Sequence, residues 1–313
     1  MNGRLGVVTP VYNTPDRNRM GYLVDAVDSA LAQDIDYTFL IVDNGSTDEE
    51  TLDFYETIND PRVRVERIGR TPEQKGTPSV SLNFGFNLLF NEGHSAFCYL
   101  HSDDLLTQGS LERRVNALGG FAMVYGRMGY YDDREVKVGT YPTRNHQSPD
   151  VMISAFPHHS SMWSRKLMGL MLSDKYRKGE IFGLDVKSCE DFDCTLFSRK
   201  IIERGELTLG FVDACLYVWM DHDGNISHSI TSFEHEMDVR YIYRKNGYRD
   251  PDGSFLMKNL RRPGFWLPES VKQELRPLKN KINKFTFGFM FNDSQLVDMD
   301  MDLYWFRERD LVP

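Results

Sequence analysis

Asp103 and Asp104 stand side by side just past the apolar run 96–100. Two adjacent carboxylates repel each other unless a cation or hydrogen-bond donors share their site. The pair therefore offers a seat for a divalent cation, which would neutralise charge growing on a leaving phosphate. The plainer alternative is an aspartate capping a helix near Thr107. A second polar cluster, Asp43-Asn44-Gly45-Ser46-Thr47-Asp48, follows the apolar run 37–42. Asp43 is placed to accept hydrogen bonds from a base or ribose, and Gly45 permits a tight turn. An Asn-Gly turn followed by a serine cap would look the same. A third cluster, Thr9-Pro10-Val11-Tyr12-Asn13, supplies a tyrosine for stacking on a base and an asparagine for hydrogen bonding. Glu190-Asp191 precedes a helical run carrying Phe192, Leu196 and Ile202. It suits a general base that takes a proton from an acceptor hydroxyl. It suits equally well the acidic first turn that a helix dipole favours.

The elements that must position these clusters alternate in a βα rhythm. A short apolar run at 5–8 is followed by Met20, Leu23, Val24, Val27 and Leu31 at helical spacing. After the strand 37–42, Ser46 and Glu49 form a capping-box pattern opening a helix with Leu52, Tyr55 and Ile58. A third strand spans 63–68, and a loop with Pro72, Gly76 and Pro78 leads to a helix over 79–90 and a fourth strand at 96–100. Strands separated by single helices imply right-handed crossovers and a mostly parallel sheet covered on both faces. Ligands of such sheets sit at the carboxyl ends of the strands, where the first three clusters fall. Beyond Thr107 the pattern changes. A helix carries Leu111, Val115 and Leu118, and a hairpin is expected over 121–141 around Asp132-Asp133. Short mixed elements then precede a helix over 233–246 closed by Gly247. From about residue 250 the chain turns Pro-rich and basic, which marks a boundary.

Bulk properties narrow the class. The chain has 313 residues, 41% apolar and 27% charged, as expected of a soluble globular protein. A net charge of -9 argues against broad nucleic-acid binding. Basic residues gather only between Lys258 and Lys284, as a solvated face or a docking patch for an anionic acceptor or membrane surface. No apolar run approaches the roughly 20 residues of a membrane span, and no leader peptide opens the sequence. Cys98, Cys189, Cys194 and Cys215 lack metal-ligand spacing and read as reduced thiols, so a cytoplasmic setting is expected.

Four segments taken in order carry a resemblance: residues 7–13, residues 41–48, Leu82-Asn83-Phe84-Gly85, and His101-Ser102-Asp103-Asp104. Together they resemble the motifs of family 2 glycosyltransferases of GT-A fold, over roughly residues 5–228. His158-His159-Ser160-Ser161-Met162 is similar to that family's acceptor-side segment, and Glu190-Asp191 to its downstream acidic motif. The resemblance implies an α/β, Rossmann-like sheet in a domain over 1–249, divided near 106 into a nucleotide-sugar half and an acceptor half. Residues 250–313 form an extension. It implies an inverting transfer from a nucleotide diphosphate-sugar, aided by Mn2+ or Mg2+. Asp43 would contact the base, with Thr9, Pro10, Tyr12, Asn13 and Asn44 around it. Asp103 would lie near the ribose and metal, Ser102 and Asn83 would serve the donor site, and Arg70 and Lys75 precede Asn83 in a loop suited to the diphosphate. Asp104 would be the direct metal ligand, His228 a further one, and Asp191 the base. The family often has an acidic residue where His101 stands and a second Asp where Asn44 stands. No Gln-x-x-Arg-Trp motif and no membrane helix follow, so processive polymer synthesis is not expected. The acceptor, whether glycan, protein or hydroxylated nucleobase, stays open. A sugar-phosphate nucleotidyltransferase would carry a Gly-rich, Arg-containing loop where Thr9–Asn13 stand. A non-catalytic binding module would not need Asp43, Asp103, Asp104 and Asp191 together. The absence of Gly-x-Gly-x-x-Gly after the first strand argues against a dinucleotide-binding domain.

Overall fold

The computed structural model describes residues 4–13, 20–69, 78–132, 135–141, 159–186, 189–222 and 232–248. Its first half is a parallel sheet built on β1 (Leu5–Val11), buried at all of its positions. β1 pairs in parallel with β2 (Tyr37–Asp43) on one side and β4 (Ala96–Tyr99) on the other, and β2 pairs in parallel with β3 (Val63–Arg67). Strands covered on both faces read as continuous apolar runs, and these do. The alternation of side chains assigns each face its helix. Val7, Phe39 and Ile41 pack with Leu23, Ala26, Val27 and Ala30 of α1 (Met20–Leu31). Val8, Leu40 and Val42 pack with Leu82, Phe86 and Leu89 of α3 (Ser79–Asn91), which follows α2 (Glu49–Thr57) and β3 in the chain. Gly85 lets α3 lie close, since a Cβ there would meet Val8 Cγ1 at 2.5 Å.

The second half extends this sheet with mixed pairing. It contains β5 (Leu105–Leu106), α4 (Ser110–Leu118), β6 (Met123–Asp132), β7 (Glu135–Tyr141), β8 (Met162–Ser164), α5 (Arg165–Leu172), α6 (Glu190–Arg204), β9 (Leu209–Asp221) and α7 (Ser232–Lys245). The order is β3-β2-β1-β4-β8-β6-β9-β5, with β7 on β6. β8 is antiparallel to both β4 and β6, whereas β6 and β9 run parallel. The sheet is thus α/β and parallel in its donor half, and mixed beyond β4.

Three local expectations shift. β1 runs past residue 8 through Pro10 to Val11; its pairing with β4 ends at Val8↔Tyr99, so a residue lacking an N–H is tolerated on the open flank. Ser46 does not cap α2. Asp48 does, accepting the Thr51 N–H at 2.7 Å, while Ser46 Oγ accepts the Asn13 N–H at 2.9 Å. The hairpin is present as β6–β7, pairing Asp132 with Glu135. α7 ends two residues before Gly247, whose φ of +81° is the left-handed conformation expected of a helix stop. The proposed boundary near 250, the basic stretch 258–284 and the tail lie outside the described residues.

Candidate active site

The carboxyl ends of β1 and β2 are laced together. Asn13, at a positive φ of 39°, donates its N–H to Ser46 Oγ and accepts the Thr47 N–H on Oδ1 at 2.8 Å. Asp43 has no exposed surface. Its Oδ1 accepts the Ser46 N–H at 3.0 Å, and its Oδ2 accepts Arg67 Nε at 3.0 Å. Its carboxylate thus shapes the loop at this sheet edge. Around it, Pro10 is buried in β1 and Tyr12 is 41% exposed beside the strand end. Thr9 Oγ1 and Asn44 Oδ1 are buried with no hydrogen-bond partner among the described residues. Leaving such atoms unsatisfied costs about 1–3 kcal/mol each, so a polar ligand at this edge has groups to satisfy.

Asp103 and Asp104 have different surroundings. Asp104 is 2% exposed. Its Oδ2 accepts the Tyr217 hydroxyl at 2.7 Å and its Oδ1 the Met220 N–H at 2.8 Å. Both partners come from β9, so Asp104 clamps the loop after β4 onto that strand. Asp103 is the more exposed carboxylate, with Ser102 buried before it, and lies 3.4 Å from His222 Nε2. The His222 ring stacks on Tyr22 of α1 at 4.3 Å. His228 falls outside the described residues, as do Arg70, Lys75 and His158. His222 was missed although one signal selects it: it directly follows the strand β9.

Asp191 sits in the first turn of α6, behind Cys189 in a left-handed conformation. Its Oδ1 accepts the Phe192 N–H, and its Oδ2 lies 3.5 Å from His159 Nε2. The His159 ring packs on Tyr217 at 5.3 Å and on His101 at 5.2 Å. Tyr99 contacts both histidines, and its fully buried hydroxyl has no hydrogen-bond partner among the described residues. Burial, then the charge of Asp191, pushes that phenol well above its ordinary range. Burial also pushes Glu190 up to about 8, with Asp191 the second cause. Tyr99, His159 and Tyr217 thus bridge Asp191 and Asp104 within one packed cluster.

Asn83 is engaged within the fold. Its Oδ1 accepts the Ile181 and Phe182 N–H groups at 2.8 and 2.9 Å, and its Nδ2 donates to the Phe182 carbonyl at 2.7 Å. It anchors α3 to the segment before α6. Nearby, Arg177 makes a buried fork onto Asp193 at 2.5 and 2.7 Å, closed by Asn246 of the turn after α7. A cavity of about 410 Å³ lined by Lys200, Glu203, Arg204 and Tyr248 lies at the opposite end of α6 from Asp191, and takes no part.

A parallel half-sheet with polar clusters at its strand ends, continued by a mixed half carrying a further acidic residue, is the architecture of GT-A glycosyltransferases. A model of glycosyl transferase family 2 matches residues 6–205, and the chain belongs to that family. Among solved structures it is similar to S. aureus TarS 1–349 in complex with UDP-GlcNAc, with 15% identity, 80% of this chain and 69% of that one covered, and a TM-score of 0.58. A second S. aureus TarS structure is matched over 96% of this chain and 47% of that one, at 15% identity and a TM-score of 0.54. The mannosyltransferase PcManGT from Pyrobaculum calidifontis, in complex with GDP-Man and Mn2+, is 15% identical over 80% of this chain and 66% of that one, with a TM-score of 0.50. At these identities the likeness shows the fold alone. No curated protein matches the sequence. Among the described residues no helix is long and apolar enough to cross a membrane.

Proposed function

We propose that this family 2 glycosyltransferase moves a sugar from a nucleotide diphosphate-sugar to an acceptor hydroxyl with inversion, Asp191 acting as general base. The observation that carries this reading is the single packed cluster joining Asp191, through His159 and Tyr217, to the Asp103-Asp104 turn at the sheet edge. The acceptor oxygen forms its bond to the anomeric carbon while the bond to the diphosphate oxygen breaks. The electron pair leaves with the diphosphate, and the hydroxyl proton passes to the Asp191 carboxylate. Thr9, Asn44 and Tyr12 line the nucleoside end, and Asp43 holds the loop that presents Asn44. That the similar structures hold UDP-GlcNAc and GDP-Man supports a nucleotide-sugar donor.

The residues present fit a divalent cation. Asp103 supplies a carboxylate with an imidazole 3.4 Å away. No group of three His, Cys, Asp or Glu poised for a metal occurs among the described residues, so donor phosphates would complete the shell, as is usual for such ions. Bound there, manganese or magnesium would neutralise charge on the leaving diphosphate. Asp103 and His222 would hold it, and Asp104 would keep the turn in place. Four cysteines scattered along the chain without metal-ligand spacing support a reducing, cytoplasmic setting. Residues 250–313 are assigned to acceptor or partner docking on the basic stretch between Lys258 and Lys284.

Calorimetric titration of UDP and GDP with and without Mn2+ tests the donor site. One of the two should bind at least about tenfold more tightly with the metal, a gain of about 1.4 kcal/mol, and Asp103→Asn should erase the difference. Binding of both that ignores metal and Asp103 alike would overturn the reading.

A further inference from the structure

The cluster beneath the acidic residues points to one more functional side chain. His159 lies between Asp191 and the sheet edge, with its Nε2 3.5 Å from Asp191 Oδ2 and its side chain 12% exposed. The opposite carboxylate oxygen is already engaged by the Phe192 N–H at 2.6 Å. A carboxylate held at both oxygens has its plane fixed, whereas one held at a single oxygen can swing about its side-chain torsions. The imidazole is itself immobilised. Its ring is packed against Tyr217, His101 and Tyr99. The backbone that follows it is pinned on two sides. Ser160 Oγ donates to the Gly126 carbonyl at 2.8 Å, and the fully buried Arg114 of α4 donates to the Ser161 carbonyl at 3.2 Å. Tyr217, which packs on the ring, donates its hydroxyl to Asp104.

We propose that His159 is a positioning residue for Asp191: it fixes the orientation of the carboxylate that takes the acceptor proton, and keys that orientation to the strand carrying the Asp103-Asp104 turn. The inference rests on the proposed glycosyl transfer. It assigns His159 no contact with the donor, so removing its nitrogen should slow turnover and leave donor binding alone.

The test compares His159→Phe, His159→Gln and His159→Asn in the full chain, following nucleotide release from the best nucleotide sugar, with water as acceptor. Phe keeps the ring packing and loses the nitrogen; Gln places an amide near Nε2; Asn is too short to reach Asp191. For Phe and Asn, kcat should fall by about 30-fold or more with donor KM within about twofold, the cost of a misplaced catalytic group. Gln should return kcat to within about fivefold of wild type. Should Phe fail to fold, the Gln-to-Asn ratio carries the same test. Equal kcat for Gln and Asn, or a Phe variant within about twofold of wild type, overturns the proposal. Asp191→Asn separates the two levels. If it still turns over, the base assignment itself fails; if it is inactive while His159→Phe is normal, only the role of His159 fails.

Discussion

The division of labour between Asp103 and Asp104 predicts opposite outcomes for neighbouring substitutions. Tyr217→Phe removes the hydroxyl that donates to Asp104 Oδ2 at 2.7 Å and accepts the His101 N–H at 3.2 Å. Asp104 is 2% exposed and Tyr217 fully buried, so water replaces neither contact without local opening. A hydrogen bond to a charged group contributes about 1.5–3 kcal/mol, and an unsatisfied backbone N–H adds to its loss. We expect Tyr217→Phe to destabilise by about 2–3 kcal/mol. For a domain of this size that lowers Tm by about 4–12 °C. Asp104→Asn should cost about as much, because an amide nitrogen then faces the Tyr217 hydroxyl or the Met220 N–H. Asp103→Asn changes a more exposed side chain that faces His222, and should stay within about 0.5–1 kcal/mol of wild type. Guanidinium unfolding followed by circular dichroism measures all three. Wild-type stability for Tyr217→Phe and Asp104→Asn, or destabilisation of Asp103→Asn alone, would refute the argument.

Three further outcomes follow from other parts of the fold. Arg177→Met leaves the fully buried Asp193 without its guanidinium fork and should cost about 3–5 kcal/mol in denaturant unfolding. Gly85→Ala drives a Cβ to 2.5 Å from Val8 Cγ1 between α3 and the sheet and should cost about 1–3 kcal/mol by the same measurement. Glu190 holds its proton in the folded state up to about 8, against an ordinary value of 4.5. The folded state therefore binds more protons than the unfolded one between these values, and this group's contribution to stability falls as pH rises through that window. Glu190→Gln should flatten the decline, matching wild type near the lower end and exceeding it above pH 8. A wild-type curve parallel to that of the variant would contradict this.

Much of the donor half was legible because its signals are local. Apolar runs at 37–42 and 96–100 ended where β2 and β4 end to within a residue, and the polar clusters after them lie at the sheet edge as expected. What was not legible depends on contacts distant in sequence. Nothing near Asp104 announces Tyr217 and Met220, more than a hundred residues away, which bind its carboxylate. Nothing near Asn83 announces Ile181 and Phe182, which engage its side chain. Ser46 matched a capping box by spacing, yet the loop after β1 claimed its hydroxyl and Asp48 took the cap. The pairing of His222 with Asp103 joins the end of β9 to the loop after β4, which local periodicity does not show. His159 was visible only as part of a family-like segment, because its pairing with Asp191 joins two separate elements.

The most direct measurement of the central claim is nucleotide release from a panel of nucleotide sugars in the presence of Mn2+, comparing wild type with Asp191→Asn. The account predicts turnover of at least one donor by wild type, a loss of about 100-fold or more in the variant, and unchanged affinity for the matching nucleotide diphosphate. Undiminished turnover by Asp191→Asn, or no turnover of any donor by a wild-type chain that binds nucleotide diphosphate, would contradict it.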